Sequence, residues 1–144
     1  MTENYVATST IAIDAPANRV WSVLTDHDAI EEFMFGADVS TDWGVGSPIL
    51  WRGVWEGKEY ADRGVILEIE PGRRLVNTHF SPLSGQADVP ENYHTLTWKL
   101  EDEAGATTLT LSQDNNASAD AAAHSKGMWD ALVKGVKTIA ERAV

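Results

Sequence analysis

The chain has 144 residues, 11 of them basic and 22 acidic, for a formal net charge of -11, and it contains no cysteine. Such a charge is repelled by phosphate backbones and anionic lipid, and Arg73-Arg74 is the only adjacent basic pair, so neither nucleic-acid binding nor membrane insertion is expected. The missing cysteines exclude a disulfide framework, a thiol nucleophile, an iron-sulfur cluster and a thiolate zinc site.

The length suits one domain spanning 1–144 with a single core. Met-Thr-Glu-Asn-Tyr at the start has neither the basic residues nor the apolar run of a signal peptide, and no stretch approaches the roughly 18 apolar residues that span a bilayer. A soluble cytoplasmic protein is the expectation. Six tryptophans imply either a large core or something apolar bound within it.

From Tyr5 to Ile13 β-branched residues alternate, with Val6, Thr8 and Thr10 on one side and Ala7, Ser9 and Ile11 on the other, predicting a first strand. Asp14-Ala15-Pro16 stops it and signals a helix start, Asp14 as cap. Ala17, Val20, Trp21 and Leu24 follow at i, i+3, i+4, i+7 and predict one buried helical face, with Trp21 as core filler. Ile30, Phe33 and Met34 behind Asp26-His27-Asp28 predict a second short helix, ended by Gly36 in a left-handed conformation.

From Val39 to Gln113 β-rich runs alternate with turn clusters, which predicts an antiparallel meander of five or six strands. The clearest are 49–56, 60–70, 73–80, 93–101 and 107–113. The last segment, from a cap near Ser118 to Arg142, carries Ala122, Trp129, Leu132, Val133, Val136, Ala140 and Ala143 on one stripe and predicts a long amphipathic helix. Strand, helix pair, meander and long helix together make an α+β fold with helices on one face of a curved sheet.

Several motifs in this order resemble the SRPBCC superfamily (START / Bet v 1-like, helix-grip fold), and within it the group named after the activator of Hsp90 ATPase. They are Ile13-Asp14-Ala15-Pro16 running into Val20-Trp21-Ser22-Val23-Leu24-Thr25-Asp26, Gly64 to Val76, Thr95-Leu96-Thr97-Trp98-Lys99-Leu100 and Thr107-Thr108-Leu109-Thr110-Leu111. Trp129 follows Met128 where that group typically has a Gly-Trp pair, and Gln113 stands where a His is common. The resemblance implies a curved antiparallel sheet wrapped around the long C-terminal helix, with a cavity between them for a small, largely hydrophobic molecule.

Strand parity indicates which side chains reach that space. His94, Leu96, Trp98 and Leu100 share one face, and Leu109, Leu111 and Gln113 form the matching one. In the run 73–80 the pattern leaves Leu75/Asn77/His79 and Val76/Thr78/Phe80 as alternatives. Pairing across the loop 81–92 would make His79 and His94 cross-strand neighbours, in a polar cluster with Asn77 and Gln113. Two imidazoles there can orient a ligand or act as an acid-base pair, which makes His79 and His94 the catalytic candidates; solvated histidines at the rim are the plain alternative. A metal site lacks a third ligand at recognisable spacing, and no metal or cofactor is expected.

Among the aromatics Phe33, Phe35, Trp51, Trp55, Tyr60, Phe80, Tyr93, Trp98 and Trp129, the candidate ligand-binding set is Phe33, Trp51, Trp55, Trp98 and Trp129, joined by Val133, His79, His94 and Gln113. The loop 81–91 is either a lid over the pocket or a disordered surface excursion. Asp26, Asp28, Glu31 and Glu32 read as a solvated acidic face. Gly127, Ala131 and Thr138, with Gly135 beside them, are either a weak dimer face or an undemanding surface, so a monomer or weak homodimer is expected.

No nucleophile-base-orienter arrangement or phosphate loop nominates a reaction. Binding of a small hydrophobic molecule is therefore the first reading, and a small cyclase, hydrolase or isomerase using the same cavity the second. A chaperone-linked interaction module is the third; Hsp90 contact is not expected, since eukaryotic activators join this domain to a separate N-terminal one for which 144 residues leave no room.

Overall fold

A computed structural model describes residues 5–82 and 85–142. Seven strands form one antiparallel sheet, β1 (Tyr5–Ile13), β2 (Asp38–Thr41), β3 (Pro48–Trp55), β4 (Lys58–Glu70), β5 (Arg74–His79), β6 (His94–Glu103) and β7 (Ala106–Asn116), in the spatial order β1-β7-β6-β5-β4-β3-β2. The helices α1 (Ala17–Leu24) and α2 (His27–Phe33) follow β1, and α3 (Ala119–Ala140) closes the described chain. This is the α+β helix-grip arrangement. Among the described residues no helix is long and apolar enough to cross a membrane.

The β3–β4 and β6–β7 hairpins close through the two-residue turns Glu56-Gly57 and Ala104-Gly105, all four residues at positive φ, as turns matched to the twist of the strands require. α1 starts two residues later than a cap at Asp14 would place it. Its N-cap is Pro16, whose carbonyl receives Arg19 and Val20, while the Asp14 N–H goes to Glu141 instead of Asp14 capping the helix. Asp26 does cap α2, accepting from the Ala29 N–H at 2.8 Å, and Gly36 takes φ +95° just beyond it.

α3 matches its predicted span, with Ser118 accepting from the Ala121 N–H at 3.0 Å. At 22 residues it is about 33 Å long. Trp129, Leu132, Val133, Val136, Ile139 and Ala140 form its buried stripe; Ala143 lies outside the described residues. Gly135 sits in α3 because a Cβ there would meet Phe33 Cβ at 3.0 Å, so its smallness serves the α2–α3 contact within the chain. Gly127 has nothing within 4 Å.

The C-terminal end of α3 is tied down electrostatically. Arg19 donates to the carbonyls of Ile139 (3.1 Å) and Ala140 (3.4 Å), and Arg142 grips Glu32 through two bonds of 2.7 and 2.8 Å. Glu141 receives Lys137 and, at 2.7 Å, the Asp14 N–H. These partners hold the Glu141 and Glu32 carboxyls below the usual carboxylate range. A depressed folded pKa stabilises above the ordinary value and loses that contribution as pH falls through the folded one. The urea midpoint should therefore drop as pH is lowered below about 4.3, the ordinary Glu value, and drop less in Glu141→Gln or at high salt. A midpoint with the same acid slope in Glu141→Gln would show that the Glu141 contacts contribute nothing.

Candidate functional site

The concave face of the sheet is set by strand parity. β6 turns Leu96, Trp98 and Leu100 inward and β7 turns Leu109, Leu111 and Gln113. β5 resolves to Leu75, Asn77 and His79 on the same side, since Asn77 faces Leu96 and Leu75 faces Trp98 across β5–β6. Trp98 meets Phe33 of α2 edge to face at 6.2 Å, and Trp129 of α3 donates its Nε1–H to Gln113 at 3.2 Å.

Between sheet, α2 and α3 a cavity of about 30 Å³ remains, walled by Phe33, Trp43, Trp51, Trp98 and Trp129 with aliphatic neighbours, and by the amide of Asn77. That volume is one water's share of the liquid, about a tenth of the smallest usual ligand pocket. Two larger depressions are open surface features: one of about 710 Å³ between α1, α2 and the end of α3, and one of about 510 Å³ on the β3–β4 hairpin. The acidic residues Asp26, Asp28, Glu31 and Glu32 line the first. Among the described residues no group of three or more His, Asp or Glu side chains could hold a metal ion.

Of the predicted ligand-binding residues, Phe33, Trp51, Trp98 and Trp129 wall the cavity. Val133 is buried in the core outside that wall, and Trp55 ends β3 with its side chain outside the described residues. Gln113, His79 and His94 also lie off the wall. His79 and His94 are register partners on β5 and β6, yet neither imidazole bonds to the other. His94 Nδ1 donates to the Asp114 carbonyl at 2.8 Å, and His79 Nε2 donates to Asp62 Oδ2 at 2.9 Å. The expected four-residue polar cluster is thus split among separate partners, Asn77 bonding the Thr78 carbonyl and Gln113 the Trp129 indole.

Asp62 is the site residue that sequence reasoning missed. It stands on the inward parity of β4 with Tyr60, Gly64 and Ile66, and a charged residue at an inward position was the available signal. Burial, and the nearby Asp62 charge after it, push the Tyr60 phenol up, keeping it protonated at neutral pH. Trp43 was missed too, because it lies in the β2–β3 connection, where no periodicity operates; it adopts φ +58°.

The β4–β5 pair carries an irregularity that positions this corner. The Thr78 carbonyl turns toward Gly64, where a Cβ would lie 1.8 Å from it. Asn77 Nδ2 satisfies that carbonyl at 3.0 Å, and Thr78 Oγ1 receives the Val65 N–H at 2.9 Å. The next side chain is His79, delivered to Asp62 and to a T-shaped contact with Trp51, the ring centroids 5.2 Å apart.

The connection from β5 to β6 folds back on the sheet. Arg63 pairs with Asp88 at 2.8 Å, the Tyr93 hydroxyl donates to Asp88 at 2.5 Å, and Tyr93 stacks on Phe80 at 5.1 Å. Leu83 and Ser84 of that loop lie outside the described residues.

Comparison with known proteins places this architecture. No curated protein matches the chain. Among solved structures it is similar to ChR145 from Cytophaga hutchinsonii, 39% identical, with a TM-score of 0.85 over 98% of this chain and 97% of that one. It shares its fold with the Aha1 dimer from Colwellia psychrerythraea (20% identity, TM-score 0.74, 97% of each chain). CalU16 from Micromonospora echinospora is a further neighbour (20% identity, TM-score 0.70, 98% of this chain and 87% of that one). The profile of the family described as Activator of Hsp90 ATPase homolog 1-like protein matches residues 14–141, and with the helix-grip sheet already in view the chain belongs to that family, within the SRPBCC fold.

Proposed function

We propose that the protein binds a small, largely apolar molecule between the concave sheet face and α3, and that the structure is the closed form of that site. The observation that carries this reading is the cavity wall, four indoles and a phenyl ring with one buried amide, a composition suited to holding an apolar body and orienting one polar group. A ligand needs on the order of 300 Å³, so the wall must yield. The wall at Met34 and Trp43 supports where it does: Met is unbranched and adaptable, and Trp43 holds a left-handed backbone that favours release.

N-phenyl-1-naphthylamine, a neutral probe that brightens in apolar surroundings, should bind saturably at one site and quench the wall tryptophans. Leu75→Phe, which adds bulk at the cavity wall, should weaken binding at least tenfold while the protein stays folded by circular dichroism. Linear, unsaturable uptake by the folded protein would overturn the reading.

A further inference from the structure

We propose that the ligand of this site carries a hydrogen-bond donor, a hydroxyl or an amine, which Asp62 receives beside His79 at the end of the apolar seam. The inference rests on the apolar-ligand reading above and adds a head group to it. Trp51 joins the two parts. Its ring walls the cavity, it faces Asp62 across the β3–β4 pair, and its centroid lies 5.2 Å from that of the His79 ring in a T-shaped contact. Asn77, also on the wall, is two residues before His79 on the same face of β5.

A carboxylate can only accept, so the 2.9 Å bond from His79 Nε2 to Asp62 Oδ2 places the ring proton on Nε2. The other ring nitrogen, Nδ1, accepts in a neutral imidazole and donates in a charged one, whereas the second Asp62 oxygen, Oδ1, accepts in either case. Nδ1 of His79 and Oδ1 of Asp62 are both cut off from solvent, and among the described residues they are the buried side-chain nitrogen and oxygen atoms with no hydrogen-bond partner. Elsewhere on the concave face the polar groups are matched: Asn77 to Thr78, Gln113 to Trp129, and Asn116 to Ser125 and to the Tyr5 and Gln113 carbonyls.

Buried acceptors left unpaired are costly, and proteins leave few of them. An unpaired carboxylate oxygen selects a donor. A hydrocarbon end leaves Oδ1 unmet, and an anion is opposed by the Asp62 carboxylate and by the net charge of -11. A hydroxyl or amine supplies the missing proton, and the aromatic edge of Trp51 receives the apolar body behind it.

The test is calorimetric titration with 4-ethylphenol and 4-ethylanisole, in which O–CH3 replaces the O–H donor, on the wild type and on Asp62→Asn. The phenol should bind at least tenfold more tightly than the ether to the wild type. In Asp62→Asn, whose amide can turn a donor toward the ligand, that preference should fall below about threefold with the ether unchanged. The 15N resonance of His79 Nδ1 in the wild type should move on adding the phenol and not on adding the ether, a readout that stands even if the variant fails to fold. Equal affinities, a preference that survives in Asp62→Asn, or no binding of either compound by protein that still binds naphthalene, which carries no donor, would each overturn the head-group inference alone. If none of the three compounds binds, the apolar-ligand reading falls with it.

Discussion

Gly64→Ala should cost about 3 kcal/mol of folding stability, the upper end of what overpacking usually does. The added methyl carbon would sit 1.8 Å from the Thr78 carbonyl oxygen and 2.5 Å from its carbon. Those atoms are backbone, and they are held from several sides. Asn77 bonds the carbonyl, Val65 bonds the Thr78 hydroxyl, and Arg63 and Phe80 exchange backbone bonds of 3.0 and 2.8 Å beside them. Relief therefore means parting β4 from β5, which also detaches His79 from Asp62.

For a domain of this size the loss corresponds to a fall of roughly 6–12 °C in melting temperature. Gly127→Ala is the matched control with the opposite sign. It lies in α3 with nothing within 4 Å, so the same methyl should stabilise by about 0.5–1 kcal/mol through helix propensity. Equal melting temperatures for Gly64→Ala and the wild type would mean that the close approach at Thr78 is absent.

Trp98→Ala should cost about 3–5 kcal/mol, as deletion of a buried indole does. The residue is 6% exposed, meets Phe33 in a T-shaped ring contact and forms part of the cavity wall. Its removal merges an indole-sized void with the existing 30 Å³, and apolar voids of that kind stay dry and accept apolar guests. Indole at a hundredfold excess over its dissociation constant should return about 2.7 kcal/mol, and the wild type, whose site must first open, should gain less. Denaturation midpoints with and without indole decide it. A loss below 1 kcal/mol would contradict the burial of Trp98, and a loss without rescue would mean that the void collapses.

The elements that were legible share a property. The 3.6-residue stripe from Ala122 to Ala140 predicted α3, and two-residue alternation in 94–100 and 109–113 predicted the inward faces of β6 and β7. Where alternation was ambiguous, in 74–79, burial of Leu75 and Asn77 against β6 settled it. The start of α1 lies at Pro16 and not at Asp14 because a cap is a matter of one backbone angle; Pro16 takes the extended ψ of 157°, and the Asp14 N–H serves Glu141, 127 residues away.

By itself the sequence determined the class of protein, the order of its elements, the faces they turn inward and the family they resemble, because each of these is written in periodicity or in short contiguous motifs. Tertiary structure alone decided that the space under α3 shrinks to about 30 Å³, that the ring of His79, the register partner of His94, bonds Asp62, and that Gly64 yields to the Thr78 carbonyl. The reason is physical. A cavity is the small remainder of many packed side-chain volumes, and a hydrogen-bond partner is chosen by rotamer and register across strands, neither of which any local stretch of residues specifies.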